Sequence, residues 1–324
     1  MYTFEQLISI CNDEIAKINF KDRAPLSLYE PILYTLENSG KRLRPVATLM
    51  STNLFTDNIL CGINTALALE VFHNFTLLHD DIMDNASTRR GKPSVHKKWN
   101  ENVAILSGDA MMLCAYKFLA KNDKMLLGNL LEVFNEVTLQ VCEGQQLDME
   151  FETAENVTVD DYLNMIRLKT SVLIAGAMKM GAICGGATPK EADVLYEIGL
   201  NLGLAFQIQD DVLDTYSDKE SFGKEIGGDI LEGKKTYLLL TTYGVATAED
   251  TERLNTLFSA EIENELKISS VRAIYDKYNV KELANEKVKE FYEKALSAID
   301  SLEVEDSRKE PLRELSNIIL TRKK

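Results

Sequence analysis

Long tracts without glycine or proline carry apolar residues at three- and four-residue spacing, and this pattern constrains the fold most. Examples are residues 111–119, 130–141 and 288–302. Such spacing places apolar side chains on one face of an α-helix. Only six prolines interrupt the 324-residue chain. No segment combines sustained two-residue alternation with Asn-Gly turns, so a β-sheet has little support. The sequence therefore predicts an all-α protein.

The turns of the chain separate helices rather than domains. Clusters of turn-forming residues lie near residues 39–40, 91–93, 185–189 and 223–233. No low-complexity linker occurs, and apolar helical patterns continue on both sides of each turn. Hydrophobic residues make up 45% of the chain, as in globular proteins. We therefore predict a single-domain helical bundle over residues 1–324.

Charge and cysteine content limit the partners and the location of the protein. The chain has 36 basic and 51 acidic side chains, a net charge of -15, which disfavours nucleic acid and anionic membranes as partners. Five widely spaced cysteines without a Cys-x-x-Cys pair argue against a disulfide framework and a zinc site, and favour the cytoplasm. The N-terminus lacks the pattern of a signal peptide, and the apolar region 172–186 is short and contains Lys179. We expect no stable membrane anchor.

The sequences HDDIMD and QDDVLD each follow an apolar run, and each has aspartates four residues apart, Asp80 with Asp84 and Asp210 with Asp214. On a helix such residues lie within about 40° of each other, so each motif presents a pair of carboxylates. Grouped carboxylates repel unless a cation compensates. Mg²⁺ fits because it prefers oxygen ligands and shares its shell with water and substrate phosphates. A solvated acidic helix end explains one such motif equally well, but two copies favour metal.

Basic residues lie near the acidic motifs in sequence. GKRLRP supplies Lys41, Arg42 and Arg44 at a turn into a helix, and TRRGKP supplies Arg89 and Arg90 where the first motif's helix should end. Arginine binds phosphate oxygens through two parallel hydrogen bonds. Isolated arginines are usually solvated, but here they flank predicted metal ligands, which favours a second anion-binding patch.

A series of short elements occurs in one order across nearly the whole chain: GKRLRP, HDDIMD, RRG, GQQLD, KT, FQIQDD followed by Asp214, FGKEIGGD and EGKKT. In these elements and their order the chain resembles the trans-isoprenyl diphosphate synthase (polyprenyl synthetase) family. The resemblance implies an isoprenoid synthase fold, a helical bundle around a deep central cavity with the two Asp-rich motifs facing each other at its mouth. It also implies a prenyltransferase that joins isopentenyl diphosphate to an allylic diphosphate by ionisation, condensation and elimination.

The resemblance assigns roles to individual residues. Mg²⁺, as three ions with substrate bound, would be held by Asp80, Asp84 and Asp210, supported by Asp81 and Asp214. The implied catalytic residues are Asp80, Asp81, Asp84, Arg89, Lys169, Asp210, Asp211, Asp214 and Lys224. The implied contacts of the allylic diphosphate are Arg89, Lys169, Thr170, Gln207, Lys224 and Lys234. Isopentenyl diphosphate would bind Lys41, Arg44, His73 and Arg90.

Other functions fit the sequence less well. A di-iron bundle would need a second copy of the Glu70-x-x-His73 spacing, although a core role for His73 stays open. An HD-type phosphohydrolase would leave the second Asp-rich motif unexplained. A P-loop at residues 228–235 would lack its Ser or Thr and its preceding strand. A class I terpene cyclase would normally replace the second Asp triad by an Asn/Ser/Glu motif. A catalytically silent partner subunit should have lost several motif residues, and none is missing.

The residues before Asp80 bear on product length. In the family, an aromatic residue five positions upstream marks short products, and Phe75 stands there, followed by Thr76. This arrangement resembles the geranylgeranyl-forming pattern, and farnesyl diphosphate remains the alternative product. Family members usually form homodimers through helices between the two motifs, so we expect a homodimer.

Overall fold

The structure is a computed structural model, and it describes residues 2–38, 40–217 and 227–320. Within these ranges the regular structure is almost entirely α-helical, which confirms the predicted fold class. The exception among them is a small hairpin, in which strand β1 (Thr88–Arg89) pairs antiparallel with strand β2 (Lys92–Pro93).

The helices vary from single turns to thirty residues. The first ten are α1 (Phe4–Ala16), α2 (Leu26–Glu37), α3 (Leu43–Phe55), α4 (Ile63–Met83), α5 (Val95–Lys98), α6 (Glu101–Leu119), α7 (Lys124–Thr153), α8 (Val159–Ile166), α9 (Val172–Gly185) and α10 (Pro189–Tyr216). The others are α11 (Gly228–Glu232), α12 (Tyr237–Val245), α13 (Ala248–Ser259), α14 (Asn264–Lys277), α15 (Val280–Asp300) and α16 (Asp306–Leu320). A 3₁₀ turn spans Ile59–Gly62, and a π-helical turn spans Arg167–Ser171.

The first of two compact units comprises Met1–Asn135, Gly176–Tyr196 and Leu302–Pro311. Helix α4 packs along α6, because Gly108 leaves the space that the ring of His79 occupies: a Cβ at this glycine would lie 2.2 Å from its Nε2. Nearly all of α3 is buried, as is most of α4 before the first Asp-rich motif. The motif therefore follows a helix that is anchored on several sides.

The second unit comprises Glu136–Ala175, Glu197–Ser301 and Leu312–Lys324. Its core includes the buried side chains of Tyr162, Ile208 and Leu238. Glycines let helices approach closely here: a Cβ at Gly144 would lie 2.2 Å from the backbone nitrogen of Lys169, and one at Gly203 would lie 2.6 Å from Cα of Ser171. Helices α7 and α10 thus both contact the π-helical turn. One domain over residues 1–324 stays a prediction.

One helical run among the described residues, Val159–Gly185, is long and apolar enough to cross a membrane by length and composition. It exceeds the apolar region identified in the sequence because α8, the π-helical turn and α9 continue as one helix. Within the protein, 72% of its most apolar window is buried, and core helices pass the same test of composition. The absence of a membrane anchor stays a prediction.

Candidate active site

The first Asp-rich motif lies at the C-terminal end of α4. As predicted, Asp80 and Asp84 are one helical turn apart, and the backbone N–H of Asp84 donates to the carbonyl oxygen of Asp80 at 2.9 Å. Asp81 differs from both because it is buried and accepts a hydrogen bond from Nε of Arg89 at 2.8 Å. Burial raises the pKa of the Asp81 carboxyl, and Arg89 opposes this rise. Asp81 therefore holds Arg89, whose Nη2 also lies 3.5 Å from a carboxylate oxygen of Asp80.

The predicted contacts for isopentenyl diphosphate are brought together in part. A guanidinium nitrogen of Arg44 lies 3.0 Å from Nε2 of His73. Burial, and then the charges of Arg44 and Arg90, hold the pKa of His73 well below its usual value. Since arginine has only donors, Nε2 is the acceptor and the imidazole is neutral. We call Arg44, His73 and Arg90 the basic cluster. Lys41 is exposed just before α3.

Arg42, from the same GKRLRP element, has a structural role. It is buried, it forms an ion pair with the buried Glu70, and it donates to the carbonyl oxygen of Leu36 at 2.7 Å. Asn74 donates to the same Glu70 carboxylate at 2.9 Å. Grouping Arg42 with phosphate-binding cations was therefore wrong. Its backbone is left-handed (φ 52°), a conformation that non-glycine residues rarely adopt.

The second Asp-rich motif lies near the C-terminal end of α10, and its middle aspartate is buried. Asp211 accepts hydrogen bonds from the hydroxyl of Tyr162, from the backbone N–H of Tyr237 at 3.1 Å and from the amide of Gln207 at 3.4 Å. Burial raises the pKa of Asp211 to about 6, and the hydrogen bonds from Tyr162 and Tyr237 oppose this rise. Asp211 thus ties α10 to α8 and α12, and Asp210 and Asp214 flank it on the helix.

Asp229, on α11, extends this acidic cluster and was missed in the sequence analysis. Its backbone N–H donates to a carboxylate oxygen of Asp214 at 3.1 Å. Burial, followed by repulsion from Asp211, raises the pKa of Asp229 to about 8, while Lys234 opposes the rise. Its position in the element FGKEIGGD was the available signal, but that element suggested a role for Lys224 only. Lys224 lies outside the residues that the structure describes.

The π-helical turn presents the predicted allylic contacts of the second unit. Lys169 forms an ion pair with Asp148, which accounts for the aspartate of GQQLD. The hydroxyl of Thr170 donates to the amide oxygen of Gln207 at 3.2 Å, and Gln207 contacts Asp211 in turn. A π-helical turn inserts an extra residue into an α-helix and so changes the direction of side chains. Such turns are frequent at functional sites. Lys234 follows α11 and acts electrostatically on Asp211 and Asp229.

The acidic residues are suited to bind Mg²⁺ through pairs of carboxylates, and they do not surround a metal ion completely. Among the described residues, no group of three or more His, Cys, Asp or Glu side chains has a geometry that could hold a metal ion. Mg²⁺ binds through one or two carboxylates, with water and substrate phosphate completing its shell. The raised pKa values of Asp211 and Asp229 reflect buried carboxylates that repel each other, and a cation would relieve that repulsion.

Phe75 belongs to a continuous row of aromatic rings beside the first motif. We call it the aromatic row, and its members in order are His79, Phe75, Phe72, Phe134 and Tyr116, with neighbouring ring centroids 4.8, 5.5, 5.7 and 5.1 Å apart. Thr76, beside Phe75, donates to the carbonyl oxygen of His73 at 2.8 Å. Both predicted chain-length residues therefore lie within the last three turns of α4 before Asp80.

An all-α fold with two helical Asp-rich motifs and adjoining basic groups defines a prenyltransferase of the isoprenoid synthase fold. The polyprenyl synthetase family model matches residues 25–277, and the chain belongs to this family. It is 36% identical over 311 residues to a short chain isoprenyl diphosphate synthase of Methanothermobacter thermautotrophicus, covering 96% of this chain and 95% of that protein.

Two further relatives carry a more specific description. The chain is 41% identical over 241 residues to a geranylgeranyl diphosphate synthase of Methanosarcina mazei, covering 70% of this chain and 74% of the relative. A crystal structure of a geranylgeranyl pyrophosphate synthase matches with a TM-score of 0.94 and 42% identity, covering 100% of both chains. The chain is thus a short-chain prenyltransferase in fold and family.

Proposed function

We propose that this prenyltransferase uses Mg²⁺ to condense isopentenyl diphosphate with an allylic diphosphate, and that geranylgeranyl diphosphate is its favoured product. The main support for this reaction is the placement of both Asp-rich motifs on helices, with their outer aspartates one turn apart. Each motif also lies beside cationic side chains. Similarity over the full chain length to a geranylgeranyl pyrophosphate synthase supports the product.

The first step is ionisation of the allylic substrate. Its C1–O bond breaks, and the electron pair leaves with the diphosphate. Mg²⁺, when bound by Asp80, Asp84 and Asp210 with Asp81 and Asp214 in support, would neutralise the charge developing on that leaving group. The cationic and polar groups that would contact the same diphosphate are Arg89, Lys169, Thr170, Gln207, Lys224 and Lys234. Asp211 and Asp81 would act by holding Gln207 and Arg89 in place.

The second step joins the two substrates. Lys41, Arg44, His73 and Arg90 would bind isopentenyl diphosphate, with the neutral His73 ring accepting a hydrogen bond from Arg44. The double bond of isopentenyl diphosphate supplies its electron pair to the allylic carbocation, and a carbon–carbon bond forms. Loss of a proton then restores a double bond, and the departing diphosphate can accept that proton. Apolar walls would exclude water, which would otherwise trap the cation as an alcohol.

Chain length and assembly complete the proposal. Phe75 and Thr76 would end the space for the growing chain at geranylgeranyl length. Helix α6 exposes Leu106 (60%) and Leu113 (66%) on one face. Exposed leucines at a seven-residue interval suit a self-complementary helix contact, so we propose a homodimer through this face. The cysteine pattern supports a cytoplasmic enzyme.

Product analysis by mass spectrometry tests this proposal. The protein is incubated with isopentenyl diphosphate, Mg²⁺ and one primer at a time: dimethylallyl, geranyl or farnesyl diphosphate. We expect a C20 product with each primer, and none in excess EDTA. Asp80→Ala and Asp210→Ala should each abolish elongation. Asp193→Ala is the matched control, because this aspartate also lies on α10 but forms an exposed ion pair with Lys179. Full activity of both site variants would contradict the proposal. Elongation only with an added partner protein would favour a silent subunit.

A further inference from the structure

The guanidinium of Arg90 lies against the C-terminal end of α2. Its Nη1 donates to the carbonyl oxygen of Asn38 at 2.7 Å. The side-chain amide of Asn38 donates in turn to the carbonyl oxygen of Arg89 at 3.1 Å, so one residue contacts both arginines. One turn earlier on α2, the hydroxyl of Tyr34 donates to the carbonyl oxygen of Pro93 at 2.8 Å. The end of α2 therefore contacts both strands of the hairpin.

Gly40 provides the space in which this guanidinium lies. A Cβ at Gly40 would lie 2.4 Å from Nη2, 2.6 Å from Cζ and 2.9 Å from Nη1 of Arg90. These distances are far below van der Waals contact, so any side chain at residue 40 would displace the Arg90 guanidinium. The backbone of Arg90 is itself left-handed (φ 53°). A non-glycine residue holds that conformation at an energetic cost, which surrounding contacts must offset.

Repulsion between neighbouring cations acts against this position of Arg90. Burial lowers the pKa of Arg90 most, the charges of Arg42 and Arg89 lower it further, and those of Glu70 and Asp81 oppose this effect. Glu70 is already paired with Arg42, and Asp81 with Arg89. An arginine on a solvent-exposed hairpin would move toward water, where screening weakens such repulsion. The contacts with Asn38 and Gly40 therefore determine where the guanidinium lies.

We propose that Asn38 and Gly40 are positioning residues that fix the guanidinium of Arg90 for binding isopentenyl diphosphate. The backbone carbonyl oxygen of Asn38 orients Nη1 of Arg90, and the side-chain amide of Asn38 holds the hairpin through Arg89. Gly40 has no side chain and so leaves space for the guanidinium of Arg90. Arginine has five N–H donors, so the bond to Asn38 leaves others for a diphosphate. The inference rests on the proposed role of Arg90 in substrate binding.

Gly40→Ala is the sharpest test, because Gly40 has no positive φ that alanine would have to adopt. We expect the Kd for isopentenyl diphosphate, measured by calorimetry, and its KM to rise about 10-fold, as for loss of one hydrogen bond to a charged group. The KM for the allylic diphosphate and the thermal unfolding midpoint should stay unchanged. Asn38→Ala should raise the same Kd with a smaller effect. Gly128→Ala, where an added Cβ meets nothing within 4 Å, is the matched control.

A double-variant cycle separates positioning from a general structural role. In the Arg90→Ala background, Gly40→Ala should cause no further rise in the Kd for isopentenyl diphosphate. An equal rise in both backgrounds, or no rise in the wild-type background, would overturn the inference. A parallel loss of affinity for both substrates with a lower unfolding midpoint would also overturn it.

The cycle also distinguishes this inference from the proposed function. Binding measured by calorimetry does not depend on turnover, so the Gly40 result stands even where prenyl synthesis fails. An unchanged Kd in Arg90→Ala alone would overturn the assigned role of Arg90 and the positioning role with it.

Discussion

The ion pair between Arg42 and Glu70 predicts a large and specific loss of stability on Arg42→Met. Both side chains are only 4% exposed. Removal of one partner of a buried pair costs about 3–5 kcal/mol, because the other charge is left without compensation in a poorly solvated site. The carbonyl oxygen of Leu36 would lose its donor as well, at about 1 kcal/mol. We therefore expect the free energy of unfolding to fall by about 4–6 kcal/mol.

Replacing both partners should recover most of this loss. In Arg42→Met combined with Glu70→Leu, both charges of the buried pair are absent. Asn74 keeps a hydrogen bond to the backbone carbonyl of residue 70 at 2.8 Å. Replacement of whole buried pairs by apolar residues is often close to neutral. We expect the double variant to be destabilised by about 1–2 kcal/mol, far less than the single variant.

Urea unfolding measures these differences. Trp99, the single tryptophan, reports on the first unit, and circular dichroism reports on the whole chain. Coincident transitions are required before midpoints are converted into free energies. Arg308→Met is the matched control: Arg308 pairs with Asp57, which is 71% exposed, and donates to the backbone carbonyl oxygen of Asn53 at 2.8 Å, so its loss should cost about 1–2 kcal/mol. A cost of Arg42→Met no larger than this control, or a double variant less stable than the single one, would refute the reasoning.

Three further changes test other parts of the structure. Tyr162→Phe removes a donor from the Asp211 carboxylate and should raise its pKa above about 6. In metal-free buffer we expect the unfolding midpoint to fall more at pH 8 than at pH 5, because the charge that loses support exists only above that pKa. Phe75→Ala opens space at the aromatic row, and we expect longer prenyl products by mass analysis. Leu113→Lys places a charge on the exposed face of α6, and we expect sedimentation to show a monomer.

Each of these three predictions can be contradicted by a specific result. The pKa of Asp211 is higher in the folded than in the unfolded chain, so its contribution to stability falls between about pH 4 and 6 and is level above. An equal loss in Tyr162→Phe at both pH values would contradict this account. Tyr243→Phe is the control, since its hydroxyl donates at 2.9 Å to the exposed Asn255. Unchanged product lengths, or an unchanged sedimentation coefficient, would count against Phe75 or Leu113.

The helical period carried most of what the sequence revealed about the fold. Apolar spacing predicted helices, and four-residue spacing predicted that Asp80 and Asp84 lie one turn apart on α4. These features depend on local geometry alone. The hairpin at Thr88–Pro93 was not anticipated, because strands of two residues are too short to show alternation.

Residues whose roles depend on distant partners were harder to predict. Arg42 and Arg44 stand two positions apart in one motif, but Glu70 pairs with the first and His73 contacts the second. Only the packing of α4 against α3 decides between them. The π-helical turn that contains Lys169 is likewise contacted by other helices at glycines, and such long-range packing has no local signal in the sequence. Asp229 became significant only through its distance from Asp214.

The aromatic row has a consequence for how product length is set. Its rings contact one another from His79 through Phe72 to Tyr116, and the hydroxyl of Tyr116 donates to Asn135 at 2.7 Å. If Phe75 ends the cavity as proposed, it would not yield without disturbing the next ring, since closely packed interiors have little compressibility. The packed rings would then hold Phe75 at a fixed position, and product length would be set by that position. Substitutions at Phe72 or Phe134 would then change the product length indirectly, by moving Phe75.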